Sequence, residues 1–491
     1  MLSDRRQYFQ AVLLALISFA LIPVSVVAQM QAPAAPTAQV PQATQNPSTL
    51  AMTVPQAVRY ALTHYPAVRA SLESYNAARS GVGLAKTNYL PNVNGVWQGD
   101  RGTRNSVLGV LLPQFPTILT GTQGTVLPFS DRAYWVSGMG ALFSWEPFTF
   151  GYRRAQLRAA HATENRTAEQ VTLTQLGVAT AVADASLAVL ADEQRVKATQ
   201  ADVDRRAVFA RSVHALVDAR LRPGADASRA DAELAAARTQ LILSQESLEV
   251  ARAALSQVLG IAGTPVEINT GPFLEVPPES IWAQTPVTAH PAAVVEQRAI
   301  QEVQSRISVL NHAFYPHFTL IGLSSARGSG ENSKGLSSPG IDGLNASAYN
   351  WEAGLNVQLS LTDFFSIRQR KKIEVFNRRR EEALYDLTVQ AITGQVAQSK
   401  AVLDGARRVA QNTPVELQAS RDSEIQALAR FRAGVGTIVD VAEAQRLLVQ
   451  AEIDDSLARL SIWRALADLA SSEGNLDPFL NLASSMAAGA P

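Results

Sequence analysis

Residues 349–362 read YNWEAGLNVQLSLT. Tyr349, Trp351, Ala353, Leu355, Val357, Leu359 and Leu361 alternate without a break with Asn350, Glu352, Gly354, Asn356, Gln358, Ser360 and Thr362. Successive side chains of a strand point to opposite faces, so one face is apolar and the other polar. A strand of a soluble sandwich usually runs ~5–6 residues. A tilted strand crossing a bilayer needs ~9–11, apolar toward lipid and polar toward the interior. Tyr349 and Trp351, together at one end, have the character of an aromatic girdle. The expected lipid-facing side chains are therefore Tyr349, Trp351, Leu355, Val357 and Leu359.

Three other segments read as extended. In 134–146, Trp135, Met139, Ala141, Phe143 and Trp145 share a parity that Ser137 interrupts. Residues 92–100 and 317–325 are shorter and mixed. The strands are bounded at ~89–103, ~132–147, ~314–327 and ~348–363, with Gly/Ser/Thr-rich loops over 104–131 and 327–347. Four strands cannot close a barrel, and an open edge is intolerable in lipid. Strands must be pooled between protomers, which requires oligomerisation without fixing the number.

The chain repeats itself once. Pro66 in HYPAVRA (64–70) aligns with Pro291 in AHPAAVV (289–295), an offset of 225 that also places Tyr89-Leu90-Pro91 on Phe314-Tyr315-Pro316. Further on, 142–154 matches 358–370 and 219–233 matches 429–443, at offsets of 216 and 210. The first repeat is bounded at 53–270, the second at 271–475, and a C-terminal tail follows over 476–491.

Each repeat has one order: helix, strand, loop, strand, long helix, glycine turn, helix. Thr53 is a suitable N-cap for a helix over 53–88, and 283–313 mirrors it. From about 153 to 220 and 367 to 430 glycine and proline are sparse, giving helices of about 100 Å at 1.5 Å per residue. Val182, Val189, Val196, Val203, Ala210 and Val217 recur at heptad spacing, a coiled-coil seam. The helices reverse at Gly224 and Gly434. A generic structural coiled coil explains the helices equally well; it leaves the strands unexplained.

Residues 1–28 read as a secretory signal peptide, with Arg5 and Arg6 before an apolar run and Val26-Val27-Ala28 before the expected cut. An uncleaved membrane anchor is the alternative. Residues 29–52, rich in Pro, Ala, Gln and Thr, read as a disordered lead-in. No later stretch approaches ~20 uninterrupted apolar residues, so no transmembrane helix is expected in the mature chain. Lys plus Arg equal Asp plus Glu at 43 each, which gives no reason to expect a nucleic-acid partner. With no cysteine, disulfides, cysteine-ligated zinc and thiol nucleophiles are excluded. The six histidines lack ligand spacing, and no catalytic constellation or nucleotide motif stands out. No cofactor or metal is expected, and the chain reads as no enzyme.

With AVRYALTHYPAVRASL at 57–72, Pro91 and Pro316 at the strand starts, and RFRAGVGTIVDVAEAQRLLVQAE at 430–452, the sequence resembles the TolC family of outer-membrane efflux and secretion proteins over about 53–475. The resemblance implies an α+β fold: an outer-membrane β-barrel of four strands per protomer, twelve in a homotrimer, continuous with a periplasmic α-helical coiled-coil tunnel. It also implies contact with outer-membrane lipid, a periplasmic adaptor (membrane fusion) protein and an inner-membrane pump of RND, MFS or ABC type. The implied function is a passive exit duct of a tripartite pump for small molecules or metal ions. The duct of a type I protein secretion system has the same architecture. A secreted coiled-coil structural or adhesive protein is an alternative of another class.

In the family, acidic residues at the positions of Asp440 and Glu443 line the periplasmic constriction. Rings of such carboxylates favour cations and bind divalent ions. Two exposed acids in a first helical turn, favoured by the macrodipole, are the plain alternative. The turns at Arg222–Ser228 and Arg432–Thr437, with Arg222, Gly224, Arg432, Gly434, Gly436 and Thr437, are the expected adaptor-docking surface. Three positions depart from the family pattern: Gly436 replaces a basic residue, Phe431 stands where tyrosine is frequent, and Ala230 replaces an acid. Arg432 is a candidate substitute for the missing base, and Asp226 or Asp231 for the missing acid.

Overall fold

The computed structural model describes residues 50–103, 133–279, 285–330, 341–346 and 348–488. The expected signal peptide, most of the lead-in, the loop at 104–131 and much of that at 327–347 lie outside them.

The proline landmarks mark helix starts. Thr53 Oγ accepts from the Gln56 amide (3.4 Å) while the Thr53 amide donates to Gln56 Oε1 (2.9 Å), a reciprocal cap that opens α1, Val54–His64. The single helix expected over 53–88 is broken: Tyr65, before a proline, takes extended angles, and Pro66 opens α2, Pro66–Thr87. In the second repeat the helix starts at Pro291 rather than 283, after a short 3-10 turn, and runs as α5, Pro291–His312. Pro66 packs on Gly260 and Pro291 on Gly474, each a left-handed cap ending a return helix (φ +80° and +84°). A Cβ at Gly474 would come within 2.7 Å of Pro291 Cδ. The repeated proline thus docks on a repeated glycine cap.

Two terminal segments depart from expectation. Leu50–Met52, at the end of the expected disordered lead-in, is strand β1, parallel to β4, Val266–Ile268, with the Asn269 amide donating to Met52 O at 2.8 Å. A partner over two hundred positions away supplies its hydrogen bonds, which local composition cannot reveal. The tail contains helix α8, Asp477–Ala488, whose Phe479 sits fully buried against Trp463 and Phe273.

The four long strands are β2, Asn92–Thr103; β3, Ala133–Phe148; β5, His317–Ser329; and β6, Ala348–Gln358. They pair antiparallel in the order β2-β3-β5-β6. β2 and β5 outrun the expected short segments. β6 ends before the expected 363, so Leu359 and Leu361 lie just beyond it, exposed. The register aligns Trp97, Met139, Ala326 and Tyr349 in one row, and Trp145, Leu320 and Leu355 in another. The apolar parities of β3 and β6 therefore fall on one face, joined there by Trp97 of β2 and by Phe318 and Leu320 of β5. Asn92, Asn94, Ser144, Thr319, Glu352 and Asn356 share the opposite face with Leu142, Ile321 and Leu323. Ser137, the exception, is covered by the turn Asp342–Leu344, which crosses at Trp135 and Gly328 so closely that Gly343 leaves no room for a Cβ.

The long helices are α3, Tyr152–Asp218 (67 residues), and α6, Asp363–Arg432 (70 residues). The return helices are α4, Gly224–Leu259, and α7, Ile438–Ser472. α3 lies along α2 and then α4, and α6 along α5 and then α7, so two short helices match one long one in each repeat. Seam residues Val182, Val189, Val203 and Ala210 are buried. An 18-residue window of α3 is apolar enough for a membrane span (mean hydropathy 1.5). Its Val182, Leu187 and Leu190 instead enter the core with Leu255, Leu259, Trp463 and Leu466.

Above this core Thr180 Oγ donates to Ser471 Oγ (2.9 Å), tying α3 to α7. One turn on, Asp184 has a buried carboxylate oxygen without a partner. Burial, and then repulsion from Asp468, push its pKa up to about 6, with Arg464 opposing. A carboxyl whose folded pKa exceeds its unfolded one stabilises below about pH 4, and loses that contribution as pH rises through 6. Asp184→Asn is therefore expected to stabilise the protein at pH 7 by about 1 kcal/mol, discounted for partial exposure. It should also flatten the pH 4–7 slope of denaturant midpoints; an unchanged slope refutes the assignment.

Candidate functional site

The distal tips of the two hairpins form one unit. At the first, α3 gives way to Ala219-Arg220-Leu221-Arg222-Pro223, with Arg220 at φ +58° and the Leu221 amide closing on Leu216 O (2.8 Å). At the second, Gly434 takes φ +79°, and the Val435 and Gly436 amides donate to Arg430 O (3.1 and 3.0 Å). A Cβ at Gly436 would lie 3.0 Å from the Phe431 nitrogen. Any side chain there would press on the backbone of this turn.

Thr437 caps α7. Its hydroxyl accepts from the Asp440 amide (3.2 Å), and its own amide donates to Asp440 Oδ2 (3.0 Å). The Thr437 amide holds the Asp440 carboxyl below its ordinary pKa. Glu443 pairs with Arg446 (2.6 Å), which lowers its pKa too. Both carboxylates are exposed and border one groove of about 370 Å³ between α6 and α7, with Arg430, Val439 and Leu447. The helix thus brings both acids to one face as charged groups.

Arg222 joins the two turns. Its guanidinium lies over the Phe431 ring, 4.4 Å from the centroid, and Nη2 donates to Phe431 O (2.9 Å) and Gly436 O (3.4 Å). Phe431 is buried edge-on against Phe209 (5.2 Å), in a small core with Val213, Ala230, Ile438 and Val441. A buried ring beneath a guanidinium needs no hydroxyl, which accounts for phenylalanine at 431. Arg432 forms no ion pair among the described residues. Asp231 is engaged by His214 (2.9 Å). The sequence reading placed Arg222 on a docking surface and missed this link; a contact spanning 209 positions leaves no local signal.

Further up, the hairpins are joined by charge. Arg205 forks onto Glu452 of α7 (3.2 and 2.8 Å), and buried Arg206 holds Asp202 and, on α4, Glu233 (2.8 Å each). At the other end of the chain's long axis, Tyr349, Trp351, Leu355 and Val357 are 62, 78, 60 and 53% exposed, far more than an apolar strand face sustains in water. Among the described residues no group of three or more metal-ligating side chains converges.

The model of the family described as outer membrane efflux protein matches residues 57–261 and 291–475. Protein CyaE of Bordetella pertussis is 26% identical over 409 residues, covering 79% of this chain and 77% of that protein. Among solved structures, the outer-membrane channel OprN superposes with a TM-score of 0.67 at 19% identity, covering 86% of this chain and 90% of that one. The Campylobacter jejuni CmeC outer membrane channel gives 0.68 at 15%, covering 86% of each. CusC gives 0.70 at 16%, covering 86% and 92%.

Removing Arg222 strips the cation from the Phe431 ring and a donor from two carbonyls, at a cost of about 1–3 kcal/mol. Arg222→Ala is expected to speed amide exchange in both turns, 219–223 and 433–437, by about tenfold or more. Faster exchange in the first turn alone would show that the tips are not joined through this residue.

Proposed function

From the premise that this chain belongs to the outer membrane efflux protein family, we propose that it is the passive outer-membrane exit duct of a tripartite pump, expelling small molecules or metal ions. One observation carries the reading: a four-stranded sheet with an unpaired edge on β2 and another on β6, and a face on which the apolar parities of β3 and β6 coincide. Copies of this chain supply the missing strand partners, and three copies give a twelve-stranded barrel. The apolar row of Tyr349, Trp351, Leu355 and Val357 meets lipid, with Leu359 just below it. The paired helices continue the lumen into the periplasm.

Asp440 and Glu443 form the gate. Around a threefold axis each becomes a ring of carboxylates. Such a ring attracts divalent cations and slows permeation in the resting state. Arg222 holds the resting tip by coupling the hairpins. The turns bearing Arg222, Gly224, Arg432, Gly434, Gly436 and Thr437 receive a periplasmic adaptor, and an inner-membrane transporter supplies the energy.

Because Asp440 also caps α7, alanine there would remove a cap worth about 1 kcal/mol as well as a charge. Asp440→Asn with Glu443→Gln retains the cap. In planar bilayers this double variant should conduct several-fold more and lose block by millimolar divalent cations. Unchanged conductance and block would leave the two acids as ordinary exposed carboxylates. Efflux itself is tested by deletion: heightened sensitivity to toxic small molecules or metals supports it, whereas loss of a secreted protein with unchanged sensitivity refutes it.

A further inference from the structure

The chain as a whole is balanced in charge, with 43 basic and 43 acidic residues. The helix ends that abut the sheet are not. The stretches 74–88, 152–163, 303–312 and 364–373 adjoin β2, β3, β5 and β6. They contain ten lysines and arginines and no carboxylate. Apart from Asp363, the first residue of α6, the first acids met on moving away from the sheet are Glu73, Glu164, Glu302 and Glu374. Beyond Asp363, all four helices therefore run through a basic zone at the same level, about 15–20 Å deep.

Within that zone Arg306 pairs with Glu302 (2.5 Å) and Arg153 with Glu146 of β3 (3.7 Å), while most of the other cations have no carboxylate partner among the described residues. Arg368, Arg370, Lys371 and Lys372 fall in the first three turns of α6, and no carboxylate among the described residues pairs with them. Arg154 and Lys86 are exposed and equally unpaired. Below the zone pairing resumes, as in Arg166 with Glu302 (3.2 Å) and Arg378 with Glu382 (3.2 Å). Both long helices also begin here, and neither N-cap residue, Gly151 or Thr362, closes the helix with its side chain. The positive end of α3 adds to the field, whereas Asp363 offsets that of α6.

On the sheet side of the basic zone lie exposed rings. Phe148 and Phe365 are each 71% exposed, and Phe150 stacks on Tyr315 at 5.4 Å. Apolar strand face, then aromatic rings, then unpaired cations is the polarity profile of a bilayer from hydrocarbon through interface to headgroup. Guanidinium and ammonium groups at that depth match phosphodiesters in charge and hydrogen bonding.

Resting on the membrane-spanning reading above, we propose that this basic collar, centred on Arg368, Arg370, Lys371 and Lys372, binds the headgroups of anionic phospholipids in the adjoining leaflet. The collar anchors the duct at a fixed depth and gives it a preference for anionic over zwitterionic lipid.

The test uses the full-length oligomer in neutral detergent, titrated with short-chain phosphatidylglycerol or phosphatidylcholine of equal chain length. Thermal midpoint and bound lipid, the latter by native mass spectrometry, are the readouts. Phosphatidylglycerol should raise the midpoint and remain bound where phosphatidylcholine does not, and 0.5 M salt should erase most of the difference, as expected for surface charge. With Arg368, Arg370, Lys371 and Lys372 all changed to glutamine, about tenfold more phosphatidylglycerol should be required. The salt titration needs only the native protein, so it decides even if the variant does not assemble. Equal response to both lipids, or a preference indifferent to salt, overturns the collar. So does a variant that keeps its lipid preference while its reconstituted channel changes ion selectivity, which would turn these cations toward the lumen. A native chain that is monomeric and soluble without detergent would overturn the membrane reading itself.

Discussion

Unpaired backbone at a sheet edge is the constraint on which the rest of this structure depends. In hydrocarbon each unmatched amide or carbonyl costs several kcal/mol. β2 and β6 each offer such an edge, so the sheet is complete only beside other copies. The helices follow from that requirement. Each strand pair returns to the same end of the sheet, and a helix leaves from every strand end, so a closed sheet imposes a closed palisade of helices. Heptad burial along α3 then sets the spacing within each pair.

The structure is unevenly secured along its length. Near mid-length, α1, α3, α4, α7 and α8 share a dense core with Trp463, Phe273 and Phe479 fully buried. The β1–β4 pair and the glycine-capped proline starts lock that level. Toward the tips the core shrinks to Phe209, Phe431 and a few aliphatics, and charged contacts replace it. Such contacts are directional and individually modest. A firm middle and lightly held tips suit a tube that is static at one end and movable at the other.

Much of this was legible in the sequence because it is periodic. The alternation in 349–362 and the repeat at Pro66 and Pro291 encode local geometry, and the register then places the apolar parities of β3 and β6 on one face. What was illegible depends on partners distant in the chain. The pairing of Leu50–Met52 with Val266–Ile268 is one case, and the covering of Ser137 by Asp342–Leu344 another. At the start of α7, the sequence singles out Asp440 and Glu443 but does not reveal that Asp440 caps its own helix. It offers Arg432 as a candidate for the missing base; the guanidinium that bridges the two turns within the chain is that of Arg222, a contact between distant segments.

The Arg222 link has one more property. Its acceptors are the carbonyl oxygens of Phe431 and Gly436 and the face of a ring. None of these takes up a proton in the physiological range, and arginine does not release one. A latch between an arginine and a carboxylate would slacken in acid; this one has no titrating half. Acidification of the surroundings leaves it fastened, so its release requires mechanical displacement of a turn or a competing donor that takes over the two carbonyls. This link thus answers to displacement rather than to pH.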